Sequence, residues 1–409
     1  MRRIRWLAAA VMVALMLAGC GGGGSSTTSN EPQQITVWAM GAEGEKLSTL
    51  ADQFTKQNPN ITVKVTPITW DVAHQKLISS VAGRQTPDVS QLGTTWMGEF
   101  AKLGALDQVP DSFSKDAFFE GAWNTNVVDG KTVGVPWYVE TRLLYYRTDL
   151  AAKAGAKMPP TTWPELREAA TKIKKVTGKY GLALPPNTGG QWQEFMPFVW
   201  QDGGDVADAS GNPTLDSPQV VEALKEYTWY HQQGLSPKSV PKGFAIEQGF
   251  AAGDYGMFFS GPWHMQILKD NAPKIAGKWK VAHVPTKQSA TSFVGGANLV
   301  VFNGSKHKDA AWKFVQYATN PDTQALWYKT VADLPSTKAG WERPELTGDD
   351  NLGVFKSQLD DAKSPPNLPT WEQLATKINT WIERAAAGKA SAEEAAKGMQ
   401  SDAQSLVKR

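Results

Sequence analysis

A single cysteine, Cys20, stands in the whole chain of 409 residues. No intramolecular disulfide can form, so the body must be held together by core packing. The five histidines (His74, His231, His264, His283 and His307) show no HExxH or other paired spacing. There is no phosphate-binding loop, no GxSxG and no cysteine nucleophile. No metal or other cofactor is expected. Charge of one sign is missing too, since 42 Lys and Arg face 40 Asp and Glu. That balance argues against nucleic acid as a partner and against electrostatic membrane binding. The apolar run Leu7 to Leu17 is too short and wrongly flanked to span a bilayer.

What that run does suggest is a leader. Arg2, Arg3 and Arg5 precede it as a positive n-region, and it closes on Leu17-Ala18-Gly19-Cys20. This ending resembles a bacterial lipobox, which implies that Cys20 takes a diacylglycerol and becomes the new N-terminus. Residues 1–19 then read as a signal peptide and 20–34 as a lipid-anchored tether. Gly21 to Asn30, GGGGSSTTSN, is flexible in composition, with a reach of roughly 15–20 Å. The body is expected outside the cytoplasm, held to the cell membrane by its anchor. Without the three leader arginines, 39 of the 42 basic residues remain against 40 acidic ones.

The remaining body, about 390 residues, is too long for one core, so two lobes are expected. Ile35–Trp38 reads as a strand, with a helix over 44–58 whose apolar face carries Leu47, Leu50, Ala51 and Phe54. A strand at Ile61–Val65, a helix over 70–81 and a strand opening at Pro87-Asp88-Val89 follow. Two βαβ-type units in sequence argue for an α/β fold with a parallel sheet. Val133 to Tyr146 is extended but interrupted by Pro136, and reads as a crossover between lobes rather than a central strand. His283 to Thr286 reads as a second crossover and Val331 to Pro335 as a third. Three crossings would make a hinge suited to closing on a ligand. The lobes then divide as 35–139 plus 287–333, and 140–286 plus 334–409.

One stretch concentrates the functional signal: FAAGDYGMFFSGPW, Phe250 to Trp263. Gly253 sits where a helix stops in the left-handed conformation. Tyr255 to Ser260 is a short apolar strand, and Trp263 follows just past its carboxyl end, where ligands of α/β sheets sit. Trp263 is either a ligand platform or a core residue capping the sheet. Seventeen tryptophans are many for this length, and a surplus of indoles suits a protein that binds rings or sugars. Covering about 80–100 Å² of apolar sugar face on an indole contributes about 2–2.5 kcal/mol. One neutral hydrogen bond nets only about 0.5–1.5 kcal/mol. Aromatic walls should therefore dominate affinity, and polar groups should select the sugar.

Several ordered segments carry a family resemblance. ITVW, QFTKQNPNITVKV, GRQTPDV and EFAKLGALDQV are similar to the first lobe of extracellular solute-binding proteins of bacterial ABC importers. The subgroup is the carbohydrate-binding one that includes the maltose-binding proteins. DGKTVGVPWYVETRLLYYRTDLAAKAG, PPTTWPELREAATKI, VWQDGGDV, the stretch ending in GPW, and GGANLVVFNGSKHKDAAWKFVQYAT follow in the same order. The match runs from about residue 35 to 335. It implies a two-lobe periplasmic-binding-protein-like fold of type II, a carbohydrate ligand and an ABC permease as partner. No catalysis is expected, and a monomer is.

The resemblance also nominates ligand residues. Glu43 occupies a loop where the family often places a polar contact, or is simply an exposed acid. Thr95 and Trp96 follow the third strand, where maltose-binding relatives carry an acid. Thr95 departs from that pattern, and Asp71 is the alternative source of the acid. Glu140, with Tyr138 beside it, matches a family glutamate, or else forms a hinge ion pair with Arg142. Trp192 and Gln193 fall where relatives place stacking and polar contacts. Trp263 becomes the first candidate, with His264 beside it. Gly295 and Gly296 let backbone approach a ligand, or form a simple turn. Trp371 either packs in the C-terminal lobe or walls the pocket. Asp202, Asp205 and Asp208 share a Gly-containing loop whose spacing is not that of an EF-hand.

Two other functions compete. A secreted glycoside hydrolase would need two carboxylates flanking the scissile bond, and Glu140 with Glu194 or Asp71 could be nominated. A receptor could instead carry a peptide, metal chelate or polyamine.

Overall fold

The computed structural model describes residues 31–407 except 189, 209 and 242. The leader, Cys20 and the tether up to residue 30 lie outside the described residues. In chain order the strands are β1 (Gln33–Met40), β2 (Ile61–Ile68), β3 (Val89–Gly93), β4 (Val127–Val128), β5 (Lys131–Thr132), β6 (Val135–Thr141) and β7 (Leu143–Arg147). They continue as β8 (Tyr180–Ala183), β9 (Tyr255–Ser260), β10 (Trp279–Ala282), β11 (Ser292–Val301), β12 (Leu334–Pro335) and β13 (Ala362–Lys363).

The first sheet runs β12-β6-β11-β3-β1-β2, with β13 added to β11. β1 is parallel to β2 and to β3, as the two βαβ units require. The sheet is nevertheless mixed, because β11 runs antiparallel to both β3 and β6. Alternation along β1 explains how it is buried from both sides. Ile35, Val37 and Ala39 join Leu47, Leu50 and Phe54 of helix Gly41–Gln57 and Phe314 of helix Lys308–Ala318. Trp38 and Met40 face the other way, toward Leu77 of helix Trp70–Ala82 and Phe100.

The second sheet runs β10-β7-β9-β8. β9 is buried along its whole length, between antiparallel β7 and parallel β8. Gly253 ends the preceding helix at φ +82°, in the left-handed conformation expected of it. The core beside this sheet gathers helix Trp163–Thr177, helix Trp192–Gln201, helix Pro218–Gln232 and the last two helices, Trp371–Ala386 and Ala392–Val407. Thr162 caps the first of these through the amide of Glu165 at 3.3 Å.

The stretch 133–146 corrects the expectation of a bare crossover. It is two strands end to end: β6 lies inside the first sheet between β11 and β12, and β7 lies in the second. Pro136 is accommodated because the register between β6 and β11 shifts at Ala297/Asn298, leaving Trp137 outside the pairing. The passage between lobes narrows to Arg142. The chain returns between β10 and β11, over residues 283–291. Leu334 and Pro335, expected in the second lobe, still pair with Val139 and Tyr138 in the first sheet. The third passage therefore comes after Pro335.

Candidate functional site

The parallel strands of the first sheet deliver their carboxyl ends to one place. β1 ends beside Ala42 and Glu43, β2 leads to Trp70, and β3 leads to Thr94, Thr95 and Trp96. These residues form one wall of a cavity of about 650 Å³. Gly190, Trp192, Gln193, Pro262 and Trp263, from the loops and helix starts around the second sheet, face them. Tyr138, Glu140 and Arg142 at the first crossing, with Gly295 and Gly296 of β11, form the floor. The helix end at Val331–Asp333 and Glu372 close the ring.

Aromatic rings are exposed where the cavity opens. Trp70 keeps 39% of its surface and Trp263 37%. Trp96 packs edge-on against Trp70, with centroids 5.6 Å apart. Trp192 is buried by Phe293 and Trp371, both edge-on at 5.3 and 5.0 Å.

The polar groups form two networks. In the first, Gln91 accepts from the Met40 amide at 2.6 Å and donates to the Tyr138 hydroxyl at 3.4 Å, tying the end of β1 to β6. Burial pushes the Glu43 carboxyl above its ordinary range, against hydrogen bonds from Tyr138 and Gln91, and the charge of Glu140 adds to the rise. Asp333 is raised well above its ordinary range by burial and then by the charge of Glu43, although the Trp327 indole donates to it at 3.0 Å. Burial, followed by the charges of Glu43 and Asp333, raises Tyr138 as well.

The second network centres on Arg142, which is 3% exposed. Its guanidinium donates to Glu140 at 2.7 Å and to Gln193, and lies 3.5 Å from Glu194. It also stacks 4.8 Å from the Trp263 ring and 5.2 Å from Phe293. Burial alone would disfavour its charge, but Glu140 and Glu194 outweigh that and hold the cation. Its backbone carbonyl accepts from Ser292, where the chain re-enters the first sheet, at 2.7 Å. One residue thus joins two crossings to the aromatic wall.

The glycines of β11 fill a steric role. Gly296 has φ +117°, and a Cβ there would sit 2.2 Å from the Tyr138 carbonyl oxygen. A Cβ at Gly295 would sit 2.5 Å from the Glu140 carboxylate.

Of the residues nominated from sequence, Glu43, Thr95, Trp96, Tyr138, Glu140, Trp192, Gln193, Trp263, Gly295 and Gly296 line this cavity. Three do not. Asp71 points to solvent on the first turn of its helix, and the preceding Trp70 reaches the wall instead. His264 turns into a neighbouring cavity, where it meets Ser260 at 2.6 Å. Trp371 is 1% exposed and packs on Trp192, so its neighbour Glu372 lines the site in its place. Sequence reading passed over Trp70, Asp333 and Glu372 and took Arg142 only as an ion-pair partner. Trp70 carried a usable signal, because it follows β2 as Trp96 follows β3. Asp333 and Glu372 carried none. The acids of the 202–208 loop go separate ways: Asp202 binds Lys287 at 2.8 Å, Asp205 binds Lys363 at 2.6 Å, and Asp208 caps its own turn at Asn212.

Comparison with known proteins decides the family. Residues 49–352 match the bacterial extracellular solute-binding proteins. This chain belongs to that family. Among solved structures it is similar to the sugar-binding protein MalE from the phytopathogen Xanthomonas citri. The two are 34% identical with a TM-score of 0.86, covering 92% of this chain and 98% of the other. A diacetylchitobiose-binding protein of Streptomyces coelicolor is 26% identical over 89% of this chain and 87% of its own. A maltodextrin-binding protein of Bacillus subtilis is 25% identical over 98% and 95%. The fold is accordingly the two-lobe type II arrangement, and the family is one of binding proteins rather than enzymes. The hydrolase alternative loses its geometry as well, since Glu140 and Glu194 both turn onto Arg142. Nothing in these likenesses supports a peptide, metal chelate or polyamine as cargo. Among the described residues no helix is long and apolar enough to cross a membrane.

Proposed function

We propose that this solute-binding protein captures an oligosaccharide between its lobes and delivers it to an ABC permease. The observation that carries the reading is the pairing of exposed indoles from both lobes, Trp70 and Trp263, around a cavity floored by carboxylates and one arginine. Indole faces cover the apolar faces of sugar rings, while Glu43, Glu140 and Glu372 accept from their hydroxyls. Relatives that bind diacetylchitobiose and maltodextrin support the same ligand class. The thread of chain at Arg142 and the two other passages allow the lobes to close on the sugar.

The lipobox-like ending at Cys20 supports attachment through an N-terminal lipid, with the binding body acting as a monomer at the outer face of the membrane. Cys20→Ser should release the protein from the membrane fraction; retention there would overturn the anchor.

A thermal-shift screen of the purified protein against mono-, di- and oligosaccharides tests the function. A ligand at a hundred times its Kd stabilises by about 2.7 kcal/mol, which is readily seen. A shift with one oligosaccharide series, lost in Trp263→Ala, is the expected result. A flat screen, or shifts with peptides alone, would overturn the reading.

A further inference from the structure

A second cavity, of about 250 Å³, lies on the far side of Trp263. It opens at the carboxyl ends of the parallel pair β8 and β9, marked by Ala183 and Ser260. The main cavity has the same relation to the parallel strands β1, β2 and β3. Crevices at such strand ends are where α/β sheets place ligands, so each lobe has its own. We propose that this second cavity is a subsite for one further sugar ring of the same oligosaccharide, entered past the edge of Trp263. The proposal rests on the sugar-binding reading given above.

Its lining has the composition such a ring requires. Phe244, Phe259 and Trp263 supply apolar wall, and the carboxylates of Glu194 and Glu247 supply acceptors. Tyr227 contributes a donor. That residue is only 1% exposed overall, and it lines the cavity. A phenol hydroxyl at the wall of a cavity is a donor for a ligand hydroxyl that enters it. His264 bonds Ser260 at 2.6 Å through Nδ1, and its Nε2 lies 3.6 Å from Glu247. Burial draws its pKa down to about 4, so it meets a ligand as a neutral hydrogen-bonding group.

Size limits the occupant. Complete small-molecule sites run from roughly 300 to 1,000 Å³, which the main cavity satisfies and the second does not reach. The second space fits a ring, not a separate ligand. Continuity comes from Trp263, which lines both cavities, and from Glu194, which reaches Arg142 of the main site.

Calorimetric titration of the full chain with maltose through maltohexaose, and with chitobiose through chitohexaose, tests the proposal on wild type, Tyr227→Phe and Glu247→Gln. Affinity should rise with length in the wild type. Each variant should lose roughly three- to tenfold for the longer members, the effect of one hydrogen bond, and less than about twofold for the shortest that binds. Tyr227→Phe removes only a hydroxyl, and the melting temperature of the ligand-free variants controls for folding. Equal losses at every length, no loss at any length, or no gain with length in the wild type would overturn the subsite while leaving sugar binding intact. No binding of any saccharide by the wild type would overturn the subsite and the function together.

Discussion

The hydroxyl of Thr95 donates a 2.6 Å hydrogen bond to the carboxylate of Glu372. Thr95 follows β3 of the first sheet, whereas Glu372 begins helix Trp371–Ala386, whose buried face packs on helix Trp192–Gln201 in the other core. A short bond from hydroxyl to carboxylate is of the charge-assisted kind. It fastens the two lobes at the rim of the cavity, 277 residues apart in sequence.

Thr95→Val keeps the shape and removes the donor. Half-exposed at the rim, the bond contributes about 1 kcal/mol, so ligand affinity should fall roughly fivefold. The radius of gyration of the ligand-free protein, measured by small-angle scattering, should grow as the open arrangement gains population. Unchanged affinity and radius would show that closure does not use this bond.

The sequence made the strand-end chemistry legible, because a short apolar strand followed by a turn and an aromatic places that ring in the crevice. Trp263 is legible that way, Trp96 comes through the family resemblance, and Trp70 obeys the strand-end rule after β2. The seam at 133–146 was harder. Pro136 argues against a ladder position unless a bulge absorbs it, and that bulge depends on β11, which lies more than 150 residues further on. Glu372 and Asp333 reach the cavity only through the chain's late returns, which no local pattern encodes. His264 and Trp371 illustrate the remaining gap: a residue can neighbour a wall in sequence and point away from it, since successive helical side chains diverge by about 100°.

Trp263→Ala removes an exposed indole shared by both cavities. Losing about 80–100 Å² of sugar-face cover corresponds to roughly 2–2.5 kcal/mol, or about thirty- to seventyfold in Kd. The melting temperature of the ligand-free protein should move little, because the ring is 37% exposed and Arg142 keeps its bonds to Glu140 and Gln193. A large loss of stability with unchanged Kd would return Trp263 to a packing role.

Gly296→Ala should be severe. At φ +117° a side chain is strained, and its Cβ would press on the Tyr138 carbonyl at 2.2 Å. Strain of about 1–3 kcal/mol is expected before the clash is counted. Chemical denaturation should show the loss, together with weaker sugar binding as β6 and β11 part beneath the floor. A variant as stable as the wild type would mean that this crossing of strands yields easily.

His264 provides a pH test with a fixed sign. Its folded pKa lies near 4, against 6.5 for a free histidine, chiefly because burial disfavours the cation. The charge of Glu247 opposes that effect and Arg142 assists it. As pH falls below 6.5 the unfolded chain takes up a proton that the folded chain refuses. Stability therefore declines through the window from 6.5 to 4 and levels off beneath it, by on the order of 3 kcal/mol from this group. His264→Gln removes the titration, and any packing cost it carries is independent of pH. The stability of the variant relative to wild type should thus improve steadily from pH 7 to pH 4 in parallel urea titrations. A difference that stays constant with pH would show that the imidazole takes up its proton as readily in the fold as in the unfolded chain.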